Sequence, residues 1–208
     1  MTPETFRLIQ YVVCMVVVIT GMIIDFRTMK IPNWLTFPSA AVGIIMCSVY
    51  GYLQAASLQV PTAVAAGSEA FNGLLGWCLG AGITVVFSIL PIGSAKDKEK
   101  LGMGDAKLMA VVGAFLGWKL VLITFFYFCL SFGVISIFVL MKVVPWNALY
   151  FLLVSTFMGG GAKAAPTIDA TKLNEQRKKP IPAGVAIAMG ALLAIILQKQ
   201  TIQYFFAP

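Results

Sequence analysis

Histidine is absent from this chain, and acidic residues are scarce, eight in 208. Without imidazole there is no Ser-His-Asp or Cys-His catalytic unit and no His-ligated metal. Four cysteines, Cys14, Cys47, Cys78 and Cys129, stand singly in separate apolar runs. No C-x-x-C pair supplies a zinc or redox framework, so they read as small buried hydrophobes. Charged residues make up 11% of the chain, against about 25% in a soluble globular domain. That shortage excludes a water-facing surface over most of the molecule.

What fills the chain instead is apolar sequence, 60% of it, with a mean hydropathy of +0.91. Several runs approach the roughly 20 residues that cross about 30 Å of hydrocarbon. They are Leu8 to Ile24, Trp34 to Leu53, Ala70 to Pro91, Asp105 to Trp118, Leu120 to Met141 and Ile181 to Leu197. Lipid cannot satisfy an open sheet edge, so the expected fold is all-α: a polytopic membrane protein of about six transmembrane helices. The first run lacks a clustered basic start and a small-x-small cleavage site, so it is expected to stay as a helix. With no repeat and no long linker, residues 1–208 are expected to form a single transmembrane domain.

The fifteen Lys and Arg residues orient these spans. If the loop after Asp25 is cytosolic, Arg27, Lys30, Lys96, Lys98, Lys100, Lys107, Lys142, Lys163, Lys172, Arg177, Lys178 and Lys179 all fall inside. Only Arg7, Lys119 and Lys199 fall outside, a strong positive-inside bias, and both termini become extracytoplasmic. Pro145 to Met158 is too short for an ordinary span and is flanked by basic residues. It is expected as a re-entrant or interfacial helix, with a seventh span as the alternative. The net charge of +7 is then an orientation signal and an attraction to anionic lipid headgroups, with no nucleic-acid partner implied.

Against this background two carboxylates stand out. Asp25 closes the first apolar run and Asp105 opens the fourth. A carboxylate at membrane depth costs up to about 2.5–3.5 kcal/mol and usually marks function. The topology puts both on the cytosolic side, one leaving helix one and one beginning helix four. Packed side by side they form an acid/base pair, in which like-charge proximity leaves one protonated and the other ionised. Such a pair activates water and protonates a leaving group without metal or cofactor. Each acid also has a structural reading. Asp105, after Gly102 and Gly104, would suit a helix N-cap, and Asp25 would be neutralised by Arg27 or Lys30. Asn33 is the expected N-cap of helix two, following Pro32.

Gly102-Met103-Gly104-Asp105-Ala106-Lys107-Leu108 resembles the G-x-G-D signature of intramembrane aspartic proteases. Asp25-Phe26-Arg27-Thr28-Met29-Lys30-Ile31-Pro32-Asn33 resembles the block around the first catalytic aspartate of type IV prepilin peptidases. Both blocks occur in order, two hydrophobic helices apart, and the likeness extends to Pro182–Ala188 near the last helix. The resemblance implies an aspartic endopeptidase of the bacterial inner membrane. Such an enzyme removes short basic leaders from prepilins at the cytosolic face, cutting after a glycine just ahead of the pilin's hydrophobic helix. Asp25 and Asp105 map onto its catalytic pair.

Larger members of that family carry an N-terminal methyltransferase region with paired cysteines. The seven residues before the first span and the unpaired cysteines resemble instead the short form associated with Flp-type, tight-adherence pili, in which no methylation is expected. Gly102, Gly104, Lys107, Arg27, Lys30, Pro32 and Asn33 are expected to shape the site or touch substrate. Lys107 lies roughly 200° around the helix from Asp105, so it is expected at headgroups or on a substrate carboxylate. Gly159-Gly160-Gly161 reads as a hinge or plain connection. Gly184, Ala188 and Gly190 read as one small packing face, and Phe125 to Phe128 as lipid-facing or core bulk. A small ion-coupled transporter and a noncatalytic subunit of a pilus or secretion assembly are the alternatives.

Overall fold

The computed structural model describes residues 2–28, 31–89, 103–143 and 183–206. Gly102, Lys30, the Gly159–Gly161 run, the Pro145 to Met158 segment and most of the cytosolic basic residues lie outside them. Every regular element among the described residues is an α-helix: α1 (Pro3–Thr28), α2 (Asn33–Leu58), α3 (Thr62–Ile89), α4 (Met103–Val143), α5 (Ala183–Ile196) and α6 (Gln198–Phe206). The first four are long and apolar enough to cross a membrane, whereas the apolar part of α5 is shorter. The chain forms two compact units, Met1–Ser131 with Pro182–Pro208, and Phe132–Ile181. Among the described residues the second holds only the end of α4.

Helices α2 and α3 are longer than their apolar runs. Hydropathy predicts a connection between Leu53 and Ala70, yet α2 runs to Leu58 and α3 begins at Thr62. Most of the intervening residues, though less apolar, still form helix, so the drop in hydropathy does not mark the turn. The turn itself is made by Gln59, in the left-handed region at φ 54°, whose N–H bonds to the Ala55 carbonyl. Pro61 follows, and its carbonyl accepts the N–H groups of Val64 and Ala65 to start α3. Gly51 lets α2 meet the backbone of Ala65 and Ala66 directly.

The sequence places a boundary between two spans at Lys119; the backbone breaks slightly earlier, at Gly117 (φ 78°, ψ 175°), inside α4. A positive φ of this size favours glycine. The arm before the break, residues 103–116, is the centre of the first unit. Leu108, Met109, Val111 and Val112 are buried, and so are Ala114, Phe115 and Leu116. A helix apolar on all sides is one surrounded by others.

Lipid tails are as apolar as leucine, so close backbone approach rather than hydrophobic burial has to hold such helices together. Glycines provide it. On α3, Gly73 faces the Ala114 carbonyl, Gly76 meets Gly113 and Gly80 meets Met109, leaving no room for a side chain at the Gly76–Gly113 crossing. Gly43 of α2 faces Ala114 and Phe115, and Gly21 of α1 faces Leu108. On α5 the expected single small face divides. Gly184 faces α1 at Met22 and Asp25, while Gly190 faces Thr124 and Phe128 beyond the break in α4. Six residues turn a helix by about 240°, so these two glycines serve different neighbours.

The cysteines also divide. Cys14 and Cys47 are buried as expected, but Cys78 and Cys129 are exposed, on the outward faces of α3 and α4. Of the aromatic run, Phe126 is exposed, Phe128 is buried, and the Tyr127 hydroxyl lies 3.0 Å from that of Thr201 on α6.

Candidate active site

The last turn of α1, the α1–α2 junction and the first turns of α4 and α5 come together at one end of the first unit. Asp25 lies in the last turn of α1, half-buried. The C-terminal end of a helix disfavours an anion. The start of α5 lies against this carboxylate, and the backbone N–H of Gly184 favours its charged form. A side chain at Gly184 would sit 3.2 Å from Asp25 Oδ2, so glycine there is what allows this approach. Arg27 is exposed, and no ion pair joins it to Asp25 among the described residues.

Asp105 lies inside the first turn of α4, third residue of the helix, and is 8% exposed. It is not at the cap position, and its burial removes the simple capping explanation. Asp25 and Asp105 are near enough for their charges to act on one another. Two acids far apart in sequence, one where α1 ends and one where α4 begins, thus lie at the same end of the first unit.

The flanking residues of the two blocks hold this end together. Ile31, buried at 5% exposure, packs on Gly104, where a Cβ would lie 3.3 Å from Ile31 Cγ1. Lys107 Nζ donates to Asn33 Oδ1 at 2.8 Å, so this lysine reaches α2, and Asn33 accepts it instead of capping. The cap position belongs to Pro32 (φ −74°, ψ 143°), with no side-chain cap bond. Pro32 instead supplies its carbonyl to the N–H groups of Leu35 and Thr36. Glycine at 104 is thus explained by Ile31, and Lys107 and Asn33 by each other.

Sequence reasoning did not anticipate the Gly184 N–H, because a backbone donor leaves no mark beyond a small residue. It also passed over Gln10, a lone amide in an apolar run, which is fully buried in the same unit. Among the described residues no group of three or more Cys, Asp or Glu side chains converges as a metal-ligand set. The arrangement holds the two carboxyls, a backbone donor on one of them and apolar walls. Its chemical capacity is proton transfer between paired acids and a molecule placed between them.

Comparison with known proteins identifies the family. Residues 12–137 match the type IV leader peptidase family. A prepilin leader peptidase/N-methyltransferase of Escherichia coli (strain K12) is 36% identical over 102 residues, 49% of this chain and 38% of that protein. A protein of the same description from Aeromonas hydrophila is 25% identical over 173 residues, 83% of this chain and 44% of that one. The chain therefore spans less than half the length of these relatives. No solved structure matches. The family match covers more than half of the sequence, from within α1 almost to the end of α4, and includes both acids: the chain belongs to the type IV leader peptidase family.

Proposed function

We propose that the protein is an aspartic endopeptidase that removes the short basic leader from prepilins of the Flp type at the cytosolic face of the bacterial inner membrane. Asp25 and Asp105 are its catalytic pair. The observation that carries this reading is the placement of both carboxyls at one end of the first unit, where α1 ends and α4 and α5 begin, in a chain of the leader peptidase family.

In the reaction the ionised carboxylate takes a proton from a water molecule held between the acids, and the resulting hydroxide attacks the scissile carbonyl carbon. The protonated carboxyl gives its proton to the carbonyl oxygen as the tetrahedral intermediate forms. Collapse breaks the C–N bond, the proton taken from water passing to the leaving nitrogen while C=O re-forms and the proton on its oxygen returns to the second carboxyl. Water and peptide are consumed, carboxylic acid and amine are released, and the pair returns to one proton. Gly184 supports Asp25 from α5; Ile31, Gly104, Asn33 and Lys107 hold the start of α4, which carries Asp105, against the α1–α2 junction.

The substrate's apolar helix lies in the bilayer, and its basic leader lies on the same side as the basic loops, where anionic headgroups draw both. Residues 1–208 act as one peptidase domain. The test is to incubate membranes carrying the protein with an Flp-type prepilin and follow loss of the leader by mass. Cleavage after the glycine before the hydrophobic helix, undiminished by chelator, supports the reading. Absence of cleavage, or loss on chelation with recovery on adding metal, contradicts it.

A further inference from the structure

We propose that Gln10 is a positioning residue for the Asp25–Asp105 pair, setting the register between the helices that carry them; this rests on the peptidase reading above. The starting point is the break in α4. A positive φ at Gly117 interrupts the regular helical ladder, so carbonyls before it and N–H groups after it need other partners. In hydrocarbon such partners have to come from the protein.

Three helices supply them. Gln10 Nε2 of α1 donates to the Phe115 carbonyl at 2.6 Å. Cys47 Sγ of α2 lies 3.4 Å from the Ala114 carbonyl and 3.1 Å from Gln10 Nε2. Asn72 Oδ1 of α3 accepts the N–H of Trp118 at 3.3 Å. Of these three, only Gln10 shares a helix with Asp25, and its acceptor shares a continuous helical arm with Asp105.

Gln10 and Asp25 are fifteen residues apart on α1, about 22 Å along the axis, so Gln10 cannot touch the reacting atoms. Its effect passes through the rigid helix: any slide of α1 along α4 at Gln10 is a slide of Asp25 past Asp105. A second α1–α4 contact, Gly21 on Leu108, is apolar and non-directional. The amide bond is directional.

A second observation shows that packing does not account for the residue. Gln10 is 0% exposed, and its Oε1 has no partner. A buried amide with an unpaired oxygen is costly, and an apolar side chain of similar volume would fill the space without it, leaving the Phe115 carbonyl to Cys47. A polar group retained at such a cost in a helix interface is a known means of fixing register.

The experiment measures cleavage of an Flp-type prepilin by the full chain in membranes, comparing wild type, Gln10→Met and Gln10→Leu across pH. Rates are expressed per folded molecule. The expected result is a kcat at least about tenfold lower, KM within about twofold, and a pH profile of altered width or position, because the separation of the two acids has changed. Loss of folded protein with kcat and pH profile unchanged in both variants would make Gln10 merely structural and overturn the proposal, as would wild-type behaviour in every respect. A wild type that does not cleave contradicts the peptidase reading itself, which separates the two failures.

Discussion

Lys107 on α4 and Asn33 on α2 are joined by a 2.8 Å hydrogen bond across the junction that holds Asp105. The bond is exposed, so its strength falls at or below the low end of the roughly 1.5–3 kcal/mol found for charged donors. Asn33→Leu or Lys107→Met should therefore reduce prepilin cleavage by a modest factor, about threefold to tenfold, while Asn33→Asp, which still accepts from the lysine, should stay near wild type. Rate measurements on the three variants check this. Equal loss in Asn33→Asp and Asn33→Leu would show that the bond is not what matters.

The backbone crossing of α3 and α4 at Gly76 and Gly113 predicts a stability effect unrelated to chemistry. Gly76→Val must push the central arm away, and overpacking of this kind costs about 1–3 kcal/mol or more. Gly82 lies on the same helix with open space around it, so Gly82→Ala should be neutral or slightly stabilising. Thermal unfolding in detergent should separate the two variants clearly.

Gly184→Ala tests the support of Asp25. The new methyl would lie 3.2 Å from Asp25 Oδ2 and 3.3 Å from the Met22 Cα, so either α5 or the carboxyl has to move. Cleavage should fall by an order of magnitude or more if the carboxyl moves, since small misplacements of catalytic groups are costly. Unfolding temperature should change little. A fully active Gly184→Ala would show that this N–H is dispensable.

Much of this arrangement was legible in the sequence because lipid leaves few choices. Apolar length selected helices, and the two acids at run ends are found at one end of the first unit. Gly117 escaped notice because a break satisfied by side chains from three other helices requires long-range contacts to be seen. The lengths of α2 and α3 were missed for a different reason: Thr62–Glu69 mixes small, apolar and polar residues, so it is helical without forming a continuous apolar run. Asn33 was assigned to its own helix because local rules favour a cap, whereas the partner that claims it, Lys107, lies on α4.

Membrane orientation is tested by cysteine labelling. With twelve of the fifteen basic residues assigned inside by the positive-inside pattern, Lys98→Cys and Lys172→Cys should react only from the cytosol. Ser68→Cys, at an exposed position of α3, should react from outside. Labelling of position 172 from outside would require Pro145 to Met158 to span the bilayer and would sink the six-helix topology.

The central claim is that Asp25 and Asp105 work as one catalytic unit, and the most direct measurement is the set Asp25→Asn, Asp105→Asn and the double variant, assayed for prepilin cleavage. Asparagine keeps the size and hydrogen-bonding capacity of aspartate and can still serve at a helix terminus, so folding and insertion should survive. Each single variant should lose cleavage, and the double should be hardly worse than either, because members of one machine are non-additive. In the wild type, activity should rise and fall with pH, since the pair works with one proton. Retained cleavage in either single variant, or losses that multiply in the double, would contradict the account.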